Sequence, residues 1–96
     1  MTPEGKVRAY LKRRIKELGG THRKLQWIGR VGAPDEVAWW NGPILGFFEC
    51  KRPKGGVLSV MQEREIGRMR QAGFNVYVTH TEESVDAALK DLLRDR

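Results

Sequence analysis

The sequence predicts an α/β fold with elements in the order α-β-β-β-α-β-α. Apolar residues recur at helical spacing near both ends, as Val7, Tyr10, Leu11, Ile15 and Leu18, and as Val85, Ala88, Leu89, Leu92 and Leu93. Between them lie short apolar runs bounded by Gly, Pro and Asn, the pattern of strands and turns. A Ser-x-x-Gln sequence at Ser59 and Gln62 opens a further helix in the second half of the chain.

The elements follow in order. Thr2 caps the first helix with Pro3 in its first turn, and Gly19-Gly20 stops it. Leu25-Gln26-Trp27-Ile28 reads as a short strand, followed by a loop from Gly29 to Gly32. Strands at about Glu36 to Trp40 and Ile44 to Lys51 flank the turn Asn41-Gly42-Pro43 and form a hairpin. The run from Pro43 to Phe48 is apolar on both faces, which predicts a buried strand. Pro53 to Gly56 is a loop, the capping-box helix runs to Gly73, and Val76-Tyr77-Val78 is the last strand. The final helix starts at about Glu82.

With 96 residues, 40% of them hydrophobic and 31% charged, the chain reads as one globular domain over 1–96 with a small core. No apolar run approaches a membrane span or a signal-peptide core. One cysteine makes no internal disulfide, and no Cys/His spacing suits structural zinc, so a reducing cytoplasm is expected. The net charge of +6 is unevenly distributed. Residues 1–30 carry nine Lys/Arg against Glu4 and Glu17, an excess of seven, whereas the rest is close to neutral. Lys6, Arg8, Lys12, Arg13, Arg14, Lys16, Arg23, Lys24 and Arg30 therefore suggest a footprint for a phosphate backbone, with Lys54 as an additional contact. A solvated basic helix face would have the same composition.

The sharpest chemical signal is Pro34-Asp35 followed, beyond the hairpin turn, by Glu49-Cys50-Lys51. A two-residue turn would set Asp35 opposite Phe48 and leave Glu49 on the other face of the sheet. Pro43 has no N–H to close such a turn, which favours a loop one residue longer or an adjacent bulge and brings Asp35 opposite Glu49. Directly opposed Cβ atoms lie roughly 5 Å apart, and Lys51 falls about 7 Å away on the same face. Two carboxylates at that distance can share a divalent cation, with the Cys50 carbonyl as a further hard oxygen ligand while its thiol points elsewhere. Lys51 can stabilise negative charge on a phosphodiester as it is cleaved. Magnesium or manganese suits such ligands.

These residues and their order resemble the PD-(D/E)xK nuclease superfamily and, more narrowly, the VRR-NUC domain. The likeness rests on Glu4 in the first helix, Gly32-x-Pro34-Asp35, Glu49-Cys50-Lys51 and the downstream Gly56-x-x-Ser59-x-x-Gln62. It implies a restriction-endonuclease-like core, a mixed sheet flanked by helices, and magnesium- or manganese-dependent phosphodiester hydrolysis. For stand-alone members, common in phages and bacteria, it implies a homodimer acting on branched DNA such as four-way junctions. It also implies a metal-site role for Glu4, which otherwise complements the helix dipole, and a place for Gln62 beside the catalytic lysine in addition to its cap. Trp27, Trp39 and Trp40 can stack on unpaired bases or pack in a core or dimer interface. Two other functions fit the same letters: a nuclease for flaps, nicks or duplex DNA, and a DNA-binding module that is non-catalytic or activated by a partner.

Overall fold

The computed structural model describes residues 1–94. The elements are α1 (Pro3–Glu17), β1 (Thr21–Lys24), β2 (Glu36–Trp40), β3 (Ile44–Cys50), α2 (Val60–Gln71), β4 (Val76–Thr79) and α3 (Glu82–Leu93). The sheet is mixed, in the spatial order β1-β2-β3-β4, with β1 to β3 an antiparallel meander and β4 parallel to β3. The parallel pairing requires a crossover, which α2 provides.

Local chemistry defines the helix ends. The Thr2 hydroxyl accepts from the Gly5 N–H at 2.9 Å, Ser59 and Gln62 form a reciprocal capping box, and Thr81 does the same with Ser84. Beyond the C-caps of α1 and α2, Gly19 and Gly73 have φ of +84° and +95°, conformations that favour glycine.

The core lies between one face of the sheet and the pair α1/α3. Val7, Leu11 and Ile15 meet Ala38, Trp40, Ile44, Phe48 and Cys50 from the strands, and Val85, Leu89 and Leu92 from α3. Each large apolar side chain fully buried there contributes about 1.5–3 kcal/mol. Leu92 approaches so closely that a Cβ on Gly46 would sit 2.7 Å from its Cδ2. On the opposite face α2 gives less cover: Ile66 is buried, but Trp39 and Leu45 remain about two-fifths exposed.

Two expectations are corrected. The first strand is Thr21–Lys24, and Leu25-Gln26-Trp27-Ile28 begins the long loop that follows it. Thr21 to Lys24 find partners in β2 from Trp39 to Glu36, and the ladder ends where Leu25 N–H donates to the Asp35 carbonyl at 2.7 Å. Trp27 then turns aside and donates its Nε1–H to the Pro34 carbonyl at 2.7 Å. The apolar letters staple the loop instead of pairing in the sheet. Likewise β3 is fully covered on one face only, because α2 does not reach over Leu45.

Candidate active site

The hairpin connection contains three residues, Asn41, Gly42 and Pro43, since Trp40 pairs with Ile44. The register Glu36 opposite Phe48, carried one residue further, sets Asp35 across from Glu49. Both project to the face on which α2 lies, while Glu36 and Cys50 project to the α1/α3 face. Pro34, which is completely buried, and Gly32 hold the approach to Asp35. Gly32 has φ +92°, and a Cβ there would lie 2.5 Å from the Met61 carbonyl oxygen in the first turn of α2. The loop carrying Asp35 is thus seated on the helix that carries Gln62.

Glu49 is only 6% exposed. Burial, reinforced by the nearby charge of Asp35, pushes its carboxyl up to about 7, although Lys51 opposes the shift. Its Oε2 accepts from Gln62 Nε2 at 3.3 Å and lies 3.8 Å from Lys51 Nζ. Gln62 performs two tasks at once, because its Oε1 accepts from the Ser59 N–H at 2.9 Å in the capping box. Helix α2 is started and Glu49 is oriented by the same side chain.

Asp35 presents its two oxygens differently. Oδ2 lies 3.1 Å from Lys24 Nζ and 3.9 Å from Arg8, whereas Oδ1 is buried and has no hydrogen-bond partner among the described residues. A bare, buried carboxylate oxygen opposite a second carboxylate is costly unless a cation or proton is shared there. Glu4 approaches from the first turn of α1, with its Oε2 3.0 Å from Arg8. Glu4 and Lys51 also line one open groove of about 310 Å³ together with Arg52, Gly55, Gly56 and Val57. Among the described residues, no three His, Cys, Asp or Glu side chains already form a cage for a metal ion. The donor chemistry nevertheless fits a hard divalent cation: carboxylate oxygens, one of them bare and buried, and no thiolate. The Cys50 thiol is on the far face, where burial pushes it up to about 11. A larger groove of about 430 Å³ between α1 and α3 lies away from these groups and takes no part in their chemistry.

The basic residues divide into several settings. Lys12, Lys16 and Arg23 line a groove of about 370 Å³ with Gly20, Thr21 and His22. Lys6, Arg13 and Lys54 are exposed elsewhere, and Arg13 rests over the Tyr10 ring. Lys24 faces Asp35, and Arg30 is paired with Glu65 at 2.8 Å. Arg8 turns inward instead of joining a solvated basic face, because three carboxylates surround it. Trp40 belongs to the core and donates to the Leu18 carbonyl, whereas Trp39 lies exposed beneath Arg23.

The sequence reading missed Glu36. This side chain is completely buried, with Oε1 2.9 Å from Arg8 Nε and Oε2 3.6 Å from His22. Burial raises the Glu36 carboxyl and lowers His22, whose neighbouring cations push it the same way. The available signal was the spacing Glu4-x-x-x-Arg8, which pairs on a helix and draws the guanidinium toward the acidic end of the sheet.

A helix-flanked mixed sheet that sets a carboxylate pair beside a lysine defines the class of PD-(D/E)xK-type nucleases. A solved structure described as "VRR_NUC domain" superimposes with a TM-score of 0.88 at 37% identity, covering 94% of this chain and 97% of that one. The chain belongs to the VRR-NUC family. No protein-family model matches it, and no curated protein does. PD-(D/E)xK nucleases are in general dependent on divalent metal. Among the described residues, no helix is long and apolar enough to cross a membrane.

Proposed function

We propose that this chain, one nuclease domain over 1–96, is a structure-selective endodeoxyribonuclease that hydrolyses phosphodiesters in branched DNA in the manner of a junction resolvase. The observation that supports this most is the bare, buried Oδ1 of Asp35 set across from Glu49, with Lys51 at hand. Glu4, Asp35, Glu49 and the Cys50 carbonyl would hold Mg²⁺ or Mn²⁺. Such an ion, when bound, neutralises the carboxylates and polarises the phosphodiester.

The chain's own groups account for the rest. Gln62 holds Glu49 in place, and Lys51 places a positive charge where a non-bridging oxygen gains negative charge as water attacks phosphorus. The P–O bond to the leaving strand breaks as the water oxygen bonds to phosphorus, and the proton that the water gives up balances the one the departing alkoxide takes up to leave as an alcohol. The exposed Lys6, Lys12, Arg13, Lys16, Arg23 and Lys54 supply backbone contacts that no single base sequence dictates, with Lys24 and Arg30 at the margin. A homodimer related by a two-fold axis would cut symmetric strands of a junction, and the exposed Trp39 and Leu45 are apolar surface available to an isologous contact. The cytoplasm of a bacterium or phage-infected cell is the compartment this reading expects.

The test is cleavage of a labelled immobile four-way junction beside matched linear, flapped and splayed DNA, in Mg²⁺, Mn²⁺ or EDTA. Symmetric, metal-dependent cuts confined to the junction are expected. Equal cutting of flaps or duplex would replace the junction reading with a broader nuclease, and binding without cleavage in either metal would leave a DNA-binding module.

A further inference from the structure

Arg8 links the active-site carboxylates to a charge buried in the core. Glu36 is 0% exposed, and among the described residues neither of its oxygens has an aligned hydrogen bond. Its close cationic contacts are Arg8 Nε at 2.9 Å and Lys24 Nζ at 3.9 Å, with His22 at 3.6 Å. A carboxylate buried in such a place is costly, an adjacent cation offsets part of that cost, and Glu36 takes no part in the chemistry assigned to Asp35 and Glu49. From the same guanidinium, Arg8 NH2 stands 3.0 Å from Glu4 Oε2 and 3.9 Å from Asp35 Oδ2. Lys24 approaches that same Asp35 oxygen at 3.1 Å, and Oδ1 is left without a partner.

We propose that Glu36 and Arg8 form a positioning unit for the metal ligands: Glu36 anchors the guanidinium, which bonds one oxygen of Glu4 and sets its charge beside the Asp35 oxygen that Lys24 holds, leaving Asp35 Oδ1 for a divalent cation. This rests on the nuclease reading above. Groups that orient metal ligands typically change affinity by about 10–100-fold when removed. A guanidinium close to a dication also repels it, so loss of charge alone would tighten binding. At Arg8 the two effects have opposite signs, which lets substitutions there separate them.

The experiment titrates the whole chain with Mn²⁺, following free Mn²⁺ by electron paramagnetic resonance, and checks folding by thermal melting in EDTA. Arg8→Lys keeps the charge and loses the planar fork, and Glu36→Gln keeps the shape and loses the anchor. Both are expected to weaken Mn²⁺ binding about 10-fold. Unchanged or tighter binding in the folded variants would overturn the proposal. Should either variant melt too early, Arg8→Leu with Glu36→Leu removes both partners of the pair together, and the same weakening is expected. DNA binding in EDTA supplies a second readout. A positioning residue leaves its salt dependence unchanged, whereas a drop of about one in the logarithmic slope would make Arg8 a phosphate contact and defeat the proposal. Asp35→Ala is the control for the underlying reading: if it binds Mn²⁺ as tightly as the native chain, the metal site itself is wrong, and the Arg8 assignment falls with it.

Discussion

Asp35 and Glu36 are adjacent acids that enter opposite faces of one hairpin. Asp35 is about one-third exposed and keeps a bare oxygen across from Glu49, whereas Glu36 is sealed under α1 and anchored to Arg8. The chemistry of the two side chains is nearly identical, so their surroundings decide what each can do. Where α2 leaves the sheet end open, a carboxylate can meet substrate. Where α1 and α3 close over it, a carboxylate can only hold other groups in place.

The contrast should be widest in function. Asp35→Ala is expected to lower junction cleavage by about 10³-fold or more while the protein still folds and binds DNA in EDTA. Lys51→Ala should reduce cleavage by about 10²–10³-fold for the loss of one stabilising charge. Single-turnover cleavage measures both. Glu36→Ala should differ by adding a loss of stability, with thermal melting in EDTA revealing roughly 3 kcal/mol from an uncompensated buried pair. Equal stability losses at 35 and 36 would break the comparison.

The pH dependence sharpens it. With its carboxyl raised to about 7 in the fold and near 4.5 when unfolded, Glu49 binds more protons in the native state between those values. Its contribution to stability is therefore fully present below about pH 4.5 and is lost as pH rises through about 7. In EDTA that loss should approach about 3 kcal/mol, and Glu49→Gln should flatten it. Denaturant melts at pH 5 and 8 check the sign, and a native chain more stable at pH 8 by virtue of Glu49 would contradict the burial argument. Gly32→Ala should destabilise by about 2 kcal/mol, since it strains a positive φ and drives a methyl against Met61, and should slow cleavage by displacing Asp35. The smallest expected effect is Gln62→Ala at about 1 kcal/mol for the lost cap, with a measurable drop in cleavage because Glu49 loses its donor.

Much of the site was legible before any fold was known. Pro43 disfavours the tight turn, and the three-residue connection it favours places Asp35 across from Glu49. Ser59 and Gln62 marked the start of α2 because a capping box is written in four consecutive residues. Glu36 was not legible in this way: in Glu-Val-Ala-Trp-Trp nothing tells a buried acid from an exposed strand end, and its partner Arg8 lies far away in the chain. The position of β1 was hidden for a related reason. Thr-His-Arg-Lys has little apolar content, and its strand exists because β2 offers it a ladder, while the more apolar Leu25 to Ile28 is held by the hydrogen bond from Trp27.

By itself, the sequence determined the helix starts, the hairpin register and which acids and lysine the hairpin brings together at the candidate site. These depend on caps, turns and two-residue alternation, which act over a few bonds. Only the tertiary structure decided that Arg8 turns inward, that Glu36 is buried and that Gln62 reaches Glu49. Those outcomes depend on which helix covers which face of the sheet, and burial and Coulomb interactions respond to distance in space, whatever the separation along the chain.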